Sequence, residues 1–175
     1  MTKEELKKIL DSHKLWLSDG MKGKKADLSY ANLHNADLHN ANLRDADLHN
    51  ANLRDADLSR ANLHFANLRY ADLSFADLRF ADLRLADLHN ANLRDADLSR
   101  ANLRYANLRH ADLSNADLTH ADLTHADLSN ANLRHADLSN ANLRESDLRA
   151  TNLLHVNLHE VKRSLDDTEM NEGRN

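Results

Sequence analysis

From Ala26 onward the chain alternates apolar and polar positions with a period of five. Leu recurs at every fifth residue from Leu28 to Leu158, 27 times without a break. Two residues before each Leu stands Ala, replaced only at Ser146, Thr151 and Val156. Asp or Asn always lies between them, and the two residues after Leu are mostly polar. On an α-helix a step of five residues leaves successive Leu side chains scattered around the axis, so no buried stripe forms. On an uninterrupted strand, Ala and Leu share one face, but the next Ala falls on the other. The pattern is consistent only if the chain bends once per pentad. Ala and Leu then always point inward, and the chain winds into a coil. Asp, Asn, Ser and Thr near the bends suit turns made by side-chain hydrogen bonds to the backbone.

A longer period overlies the short one. Ala46–Leu63 recurs letter for letter as Ala86–Leu103, forty residues later. These 27 tandem A-(D/N)-L-x-x units resemble the pentapeptide-repeat family over about three quarters of the chain. The resemblance implies an all-β solenoid, a right-handed quadrilateral β-helix with four pentads per coil. Forty residues are then two coils, and residues 26–160 make about 6.75 coils, a rod about 32 Å long at the spacing of neighbouring strands. Residues 1–25 are expected to be a helical N-terminal cap, and 161–175 a C-terminal tail or cap. Thr2 and Glu5 have the spacing of a capping box. Leu6, Ile9 and Leu10 give the helix an apolar side, and Leu15, Trp16 and Leu17 are expected to lie on the first coil.

Composition narrows the function. The 175 residues contain no Cys and no Pro, three Gly and few aromatics, with a formal charge of −5. This excludes disulfides and sulfur ligation, and it argues against direct nucleic-acid binding. The charged N-terminal stretch has no apolar run suited to a signal peptide or membrane span, so a cytoplasmic protein without membrane contact is expected. No catalytic constellation stands out, because each carboxylate is one of many equivalents and the interior is filled by Leu and Ala. No enzyme activity, cofactor or metal is expected. Of the twelve His, only His135 and His155 fall one coil apart at equivalent positions, which is a weak ligand set.

Three outward features remain. One column, Asp37, Asp57, Asp77, Asp97, Asp117 and Asp137, places a carboxylate on every coil of one face. A second feature is apolar: Phe65, Tyr70, Phe75, Phe80 and Leu85 hold the last position of five successive pentads, and Tyr105 continues the column of Phe65 and Leu85. Aromatic residues beside Arg have the composition of an interface core. The third is the C-terminal cluster Leu153, Leu154, Val156, Leu158, Val161 and Leu165, either an end cap or a homodimer contact of the kind some family members make. The expected function is a non-enzymatic scaffold for a protein partner. The first alternative, implied by the resemblance, is a DNA mimic regulating DNA gyrase or another topoisomerase through the Asp column. The regularity also fits a designed repeat whose function is folding alone.

Overall fold

The computed structural model describes residues 1–163. Leu165 therefore lies outside the described residues. Two parts make up the described residues: a helix, α1 (Lys3–Ser18), and a stack of bends that begins at Ala26. Parallel bridges join each Asp or Asn to the residue twenty positions on, from Asp27 with Asp47 to Asn142 with Lys162. One circuit of the coil thus takes four pentads.

The pentad Ala56–Arg60 shows why the sequence closes this way. Each of its five backbone N–H groups has a partner. Ala56 donates to the Leu53 carbonyl at 3.0 Å across the bend, Asp57 to Ala36 at 2.9 Å in the preceding coil, and Leu58 to Asp77 at 2.7 Å in the following one. Arg60 donates to Arg79 at 2.8 Å, also in the following coil. Among the described residues the Ser59 N–H finds no backbone partner, and the Asp57 carboxylate accepts it at 2.9 Å. An unpaired buried N–H is costly, so Asp or Asn is required at this position by the backbone itself.

Ala and Leu line the interior. Leu38 to Leu143 are at most 1% exposed at every fifth residue, so the column is withdrawn from solvent along its whole length. The small Ala lets the chain turn close to its neighbours, and the large Leu fills the centre. At ~25 cal/mol per Å², each buried Leu contributes on the order of 2 kcal/mol.

Helix α1 closes the N-terminal end. The Thr2 side chain accepts from the Glu5 N–H, and the Glu5 carboxylate accepts from the Thr2 N–H at 2.7 Å, completing the capping box. These bonds hold the Glu5 carboxyl below its ordinary pKa. Leu6, Ile9 and Leu10 pack against the core. The expectation for the next turn needs correcting at Leu15, which is 52% exposed; Trp16 and Leu17 are half-buried, and it is His13 that is fully buried at the junction. The chain then leaves α1 through Gly23, at φ +72°, where a Cβ would sit 2.1 Å from the Ser12 carbonyl oxygen. Only glycine fits this return.

Candidate interaction surfaces

The bends determine what the rod shows to its surroundings. Each closes with a hydrogen bond from Ala to the Leu three residues earlier, and the residue before that Ala has a positive φ, between 54° and 62° along the whole array. A positive φ at the third residue alone is the form of a type II turn, which favours Gly or Asn. Left-handed backbone costs an ordinary L-residue roughly 1–2 kcal/mol, and least for Asn and Asp. Asn35, Asn40, Asp45 and Asn50 obey this preference. Phe65, Tyr70, Phe75, Phe80 and Leu85 violate it in five successive bends. They ring the rod and remain 43% to 48% exposed, and Tyr105 continues the column of Phe65 and Leu85 at 49%.

Part of this belt is held by neighbours. The Arg54 guanidinium lies 4.9 Å from the Phe75 ring centre, and Arg60 and Arg100 flank Phe80 at 5.2 and 5.7 Å. Such exposed contacts are worth ~0.5–1 kcal/mol each. His64 tilts against Phe65 at 4.3 Å, and Tyr105 stacks on His125 at 4.6 Å. A further row was not apparent from the pentad alignment. Tyr30, His49, Tyr70, His89 and His110 meet edge to face along the rod, at centroid distances of 5.1, 6.3, 6.1 and 5.5 Å. Steps of 19 and 21 residues join them, so comparing adjacent rather than identical columns would have found the row. His135 and His155 stack at 5.0 Å. Among the described residues, no group of three His, Asp or Glu is placed to hold a metal ion.

The Asp column serves the bends on its own face. Asp37, Asp57, Asp77, Asp97, Asp117 and Asp137 each accept a hydrogen bond from the N–H two residues on. The Arg79 guanidinium also grips Asp77, with Nε 2.9 Å from Oδ1, and holds that carboxyl below its ordinary pKa. Burial pushes the Asp137 carboxyl up, but bonds from Ser139 and Asn157 outweigh it and the net shift is downward. The other faces mix Asp with Asn. There, the amide of Asn67 donates to Asp47 at 2.9 Å, Asn92 to Asp72 and Asn107 to Asp87, each across one coil. No Asn interrupts Asp37 to Asp137.

At the C-terminal end the burial of the Leu column gives way. Leu148, Val156, Leu158 and Val161 are partly buried against the core, whereas Leu153 and Leu154 are 36% and 52% exposed. No helix among the described residues is long and apolar enough to cross a membrane.

A rod of stacked four-bend coils, with Leu and Ala inside and its variety at the bends, defines a repeat protein of the solenoid class. The sequence profile of the family described as pentapeptide repeats matches in eight copies, over residues 24–64, 56–95, 96–134 and 126–162. The chain belongs to the pentapeptide-repeat family, whose members are right-handed quadrilateral β-helices and generally non-enzymatic structural or interaction proteins. No curated protein matches it. Among solved structures it is similar to the pentapeptide repeat protein Rfr23 of the cyanobacterium Cyanothece 51142. The identity is 28% and the TM-score 0.54, over 67% of this chain and 91% of that one. It is 38% identical to HetL, a pentapeptide repeat protein involved in heterocyst differentiation regulation in Nostoc sp. strain PCC 7120, over 79% of this chain and 72% of that one, with a TM-score of 0.31. QnrB1, a plasmid-mediated fluoroquinolone resistance protein, is 20% identical over 78% of this chain and 84% of that one, with a TM-score of 0.36. The last two superpositions are too loose to carry an argument about function.

Proposed function

We propose that this chain is a non-enzymatic interaction rod of about 6.75 coils, residues 26–160, whose partner-binding surface is the belt Phe65, Tyr70, Phe75, Phe80 and Leu85. One observation carries the reading. Five successive bends place exposed apolar residues in left-handed backbone, where Asn makes the same turn at lower cost. A feature that works against the fold's own preference needs a reason outside the fold. Half-exposed aromatics beside Arg54, Arg60 and Arg100 supply the anchor residues of a protein interface. Leu153, Leu154, Val156, Leu158 and Val161 enter the same reading as a self-association end. The partner is a protein, with no membrane and no direct nucleic-acid contact, in a cytoplasmic setting.

Affinity capture with the full chain, beside a variant carrying Phe65→Asn, Phe75→Asn and Phe80→Asn, tests the belt. The expected result is a saturable partner that the variant, folded to the same melting temperature or higher, no longer retains. A partner retained equally by both would overturn it.

The Asp column favours a second reading, a DNA-mimicking regulator of gyrase. Asn would satisfy the same N–H groups and bridge successive coils, as Asn67 does, so the fold does not require six stacked carboxylates. Supercoiling by gyrase, with this chain titrated in, is the test. Inhibition lost on changing Asp57, Asp77, Asp97 and Asp117 to Asn supports mimicry. No inhibition, or inhibition unaffected by the four changes, refutes it.

A further inference from the structure

The coils supply nearly every backbone partner from within, but the first bend cannot. In later pentads the Ala N–H donates to the Leu carbonyl of the pentad before. Ala26 has no such pentad, and its N–H donates instead to Nδ1 of His13, at 3.1 Å. His13 is 0% exposed and stacks on Trp16, with centroids 5.6 Å apart and planes 13° apart. Among the described residues, no group makes a hydrogen bond of good geometry with its Nε2.

This geometry dictates a protonation state. An Nδ1 that accepts from Ala26 keeps its lone pair, so the ring is neutral and carries its proton on Nε2. Adding a proton at Nδ1 replaces the acceptor with a donor aimed at another donor, and it puts a cation where no water reaches. The charges that face the ring come from both sides of the junction. Asp45 and the backbone at Arg44 favour the cation, and Lys25 opposes it. Burial dominates and pushes the imidazole below its ordinary value of 6.5. The sign follows. A group that binds its proton more readily once released stabilises docking fully above about pH 6.5, and that stabilisation is lost as pH falls below it.

We propose that His13 is a proton-operated latch: a proton taken up at Nδ1 breaks the His13–Ala26 bond and releases α1 from the first coil. Release uncovers the apolar end of the rod now packed under Leu6, Ile9 and Leu10. Protonation is then coupled to exposure of a surface that the docked helix hides.

Trp16, the one Trp of the chain, stands against the ring and reports its state. The experiment follows Trp16 fluorescence and hydrogen exchange of the Ala26 N–H in the full chain, from about pH 8 to about pH 5, where only His side chains ordinarily change charge. The released fraction of α1 is expected to grow by up to about tenfold per pH unit below about 6.5, while the inter-coil N–H of Leu83 stays protected. His13→Asn retains an acceptor near the Nδ1 position but cannot be protonated, and its docking should be flat over the same range. A variant as pH-dependent as the unmodified chain would overturn the latch and shift the effect to other His, such as the exposed His34. Should the variant be undocked at every pH, the ring of His13 is titrated by NMR in the unmodified chain. Titration below 6.5 in step with the Trp16 signal supports the latch; titration at or above 6.5 with Trp16 unmoved overturns it.

Discussion

The interior of this rod and its bends answer to different rules. Inside, Leu repeats for 27 pentads and Ala for 24 of them, and from Leu38 to Leu143 every Leu of that column is buried in one continuous core. At the bends the residue with positive φ is Asn, Asp, Arg, Phe, Tyr, Leu, His, Glu or Ala, although the backbone there is nearly the same each time. Packing is a shared constraint that every neighbour enforces. A bend side chain points into solvent, so the fold taxes it only through the local φ. Identity information therefore concentrates where the fold is most permissive.

The contrast can be broken at its strongest point first. Leu83→Ala leaves a cavity between two complete coils, and chemical denaturation should show a loss of about 2–5 kcal/mol. If the loss were below 1 kcal/mol, the interior would be far more plastic than its repetition implies. Next comes the residue that links interior to bend. Asp97→Ala orphans the Ser99 N–H and should cost about 1–3 kcal/mol, whereas Asp97→Asn, which keeps the acceptor, should cost little. Equal losses for both would mean that the charge, not the acceptor, matters there.

A smaller effect has the opposite sign. Leu85 holds a left-handed φ of 58°, where Asn makes the same bend at lower cost, so Leu85→Asn should stabilise the rod by about 0.5–1 kcal/mol. A fall in melting temperature would show that the belt is a device of stability. Least of all, Arg149→Ala removes an exposed pair with Asp147 and should leave the melting temperature within error.

Acid sharpens the same contrast. Asp27, Asp77, Asp82, Asp137 and Asp147 have carboxyl pKa values below the ordinary 3.8. For Asp82, burial pushes the other way and the bonds from Arg84 prevail. Their contribution is complete above about pH 3.8 and is lost as pH falls through the lowered values. Stability measured against pH should therefore drop on the acid side of 3.8, and less steeply in Asp77→Asn.

Much of this was legible in the chain itself. Period five excluded helix and flat strand, and of the column Leu28 to Leu158 the residues up to Leu143 form the buried core, while Leu153 is exposed. The inward turn of Ala and the need for Asp or Asn at the bend follow from the same pattern. The positive φ could not be read off, since Phe75 or Leu85 carries no letter-level mark of left-handed backbone. Nor could His13. Its role comes from the absence of a preceding pentad, which shows only when the hydrogen bonds of Ala26 are followed. The row from Tyr30 to His110 was hidden because its members alternate between two pentad positions.

The bridges between residues twenty apart have a geometric corollary. Adding or deleting twenty residues changes the rod's length by one step of about 4.8 Å and leaves every surface column in phase. Adding five instead advances everything downstream by one side of the square. A single pentad inserted between Asp77 and Asp97 would divide the acidic column between two adjacent sides without disturbing one interior contact type. The molecule is thus a ruler and an indexing wheel at once: repeats counted in twenties set reach, and repeats counted in fives set direction.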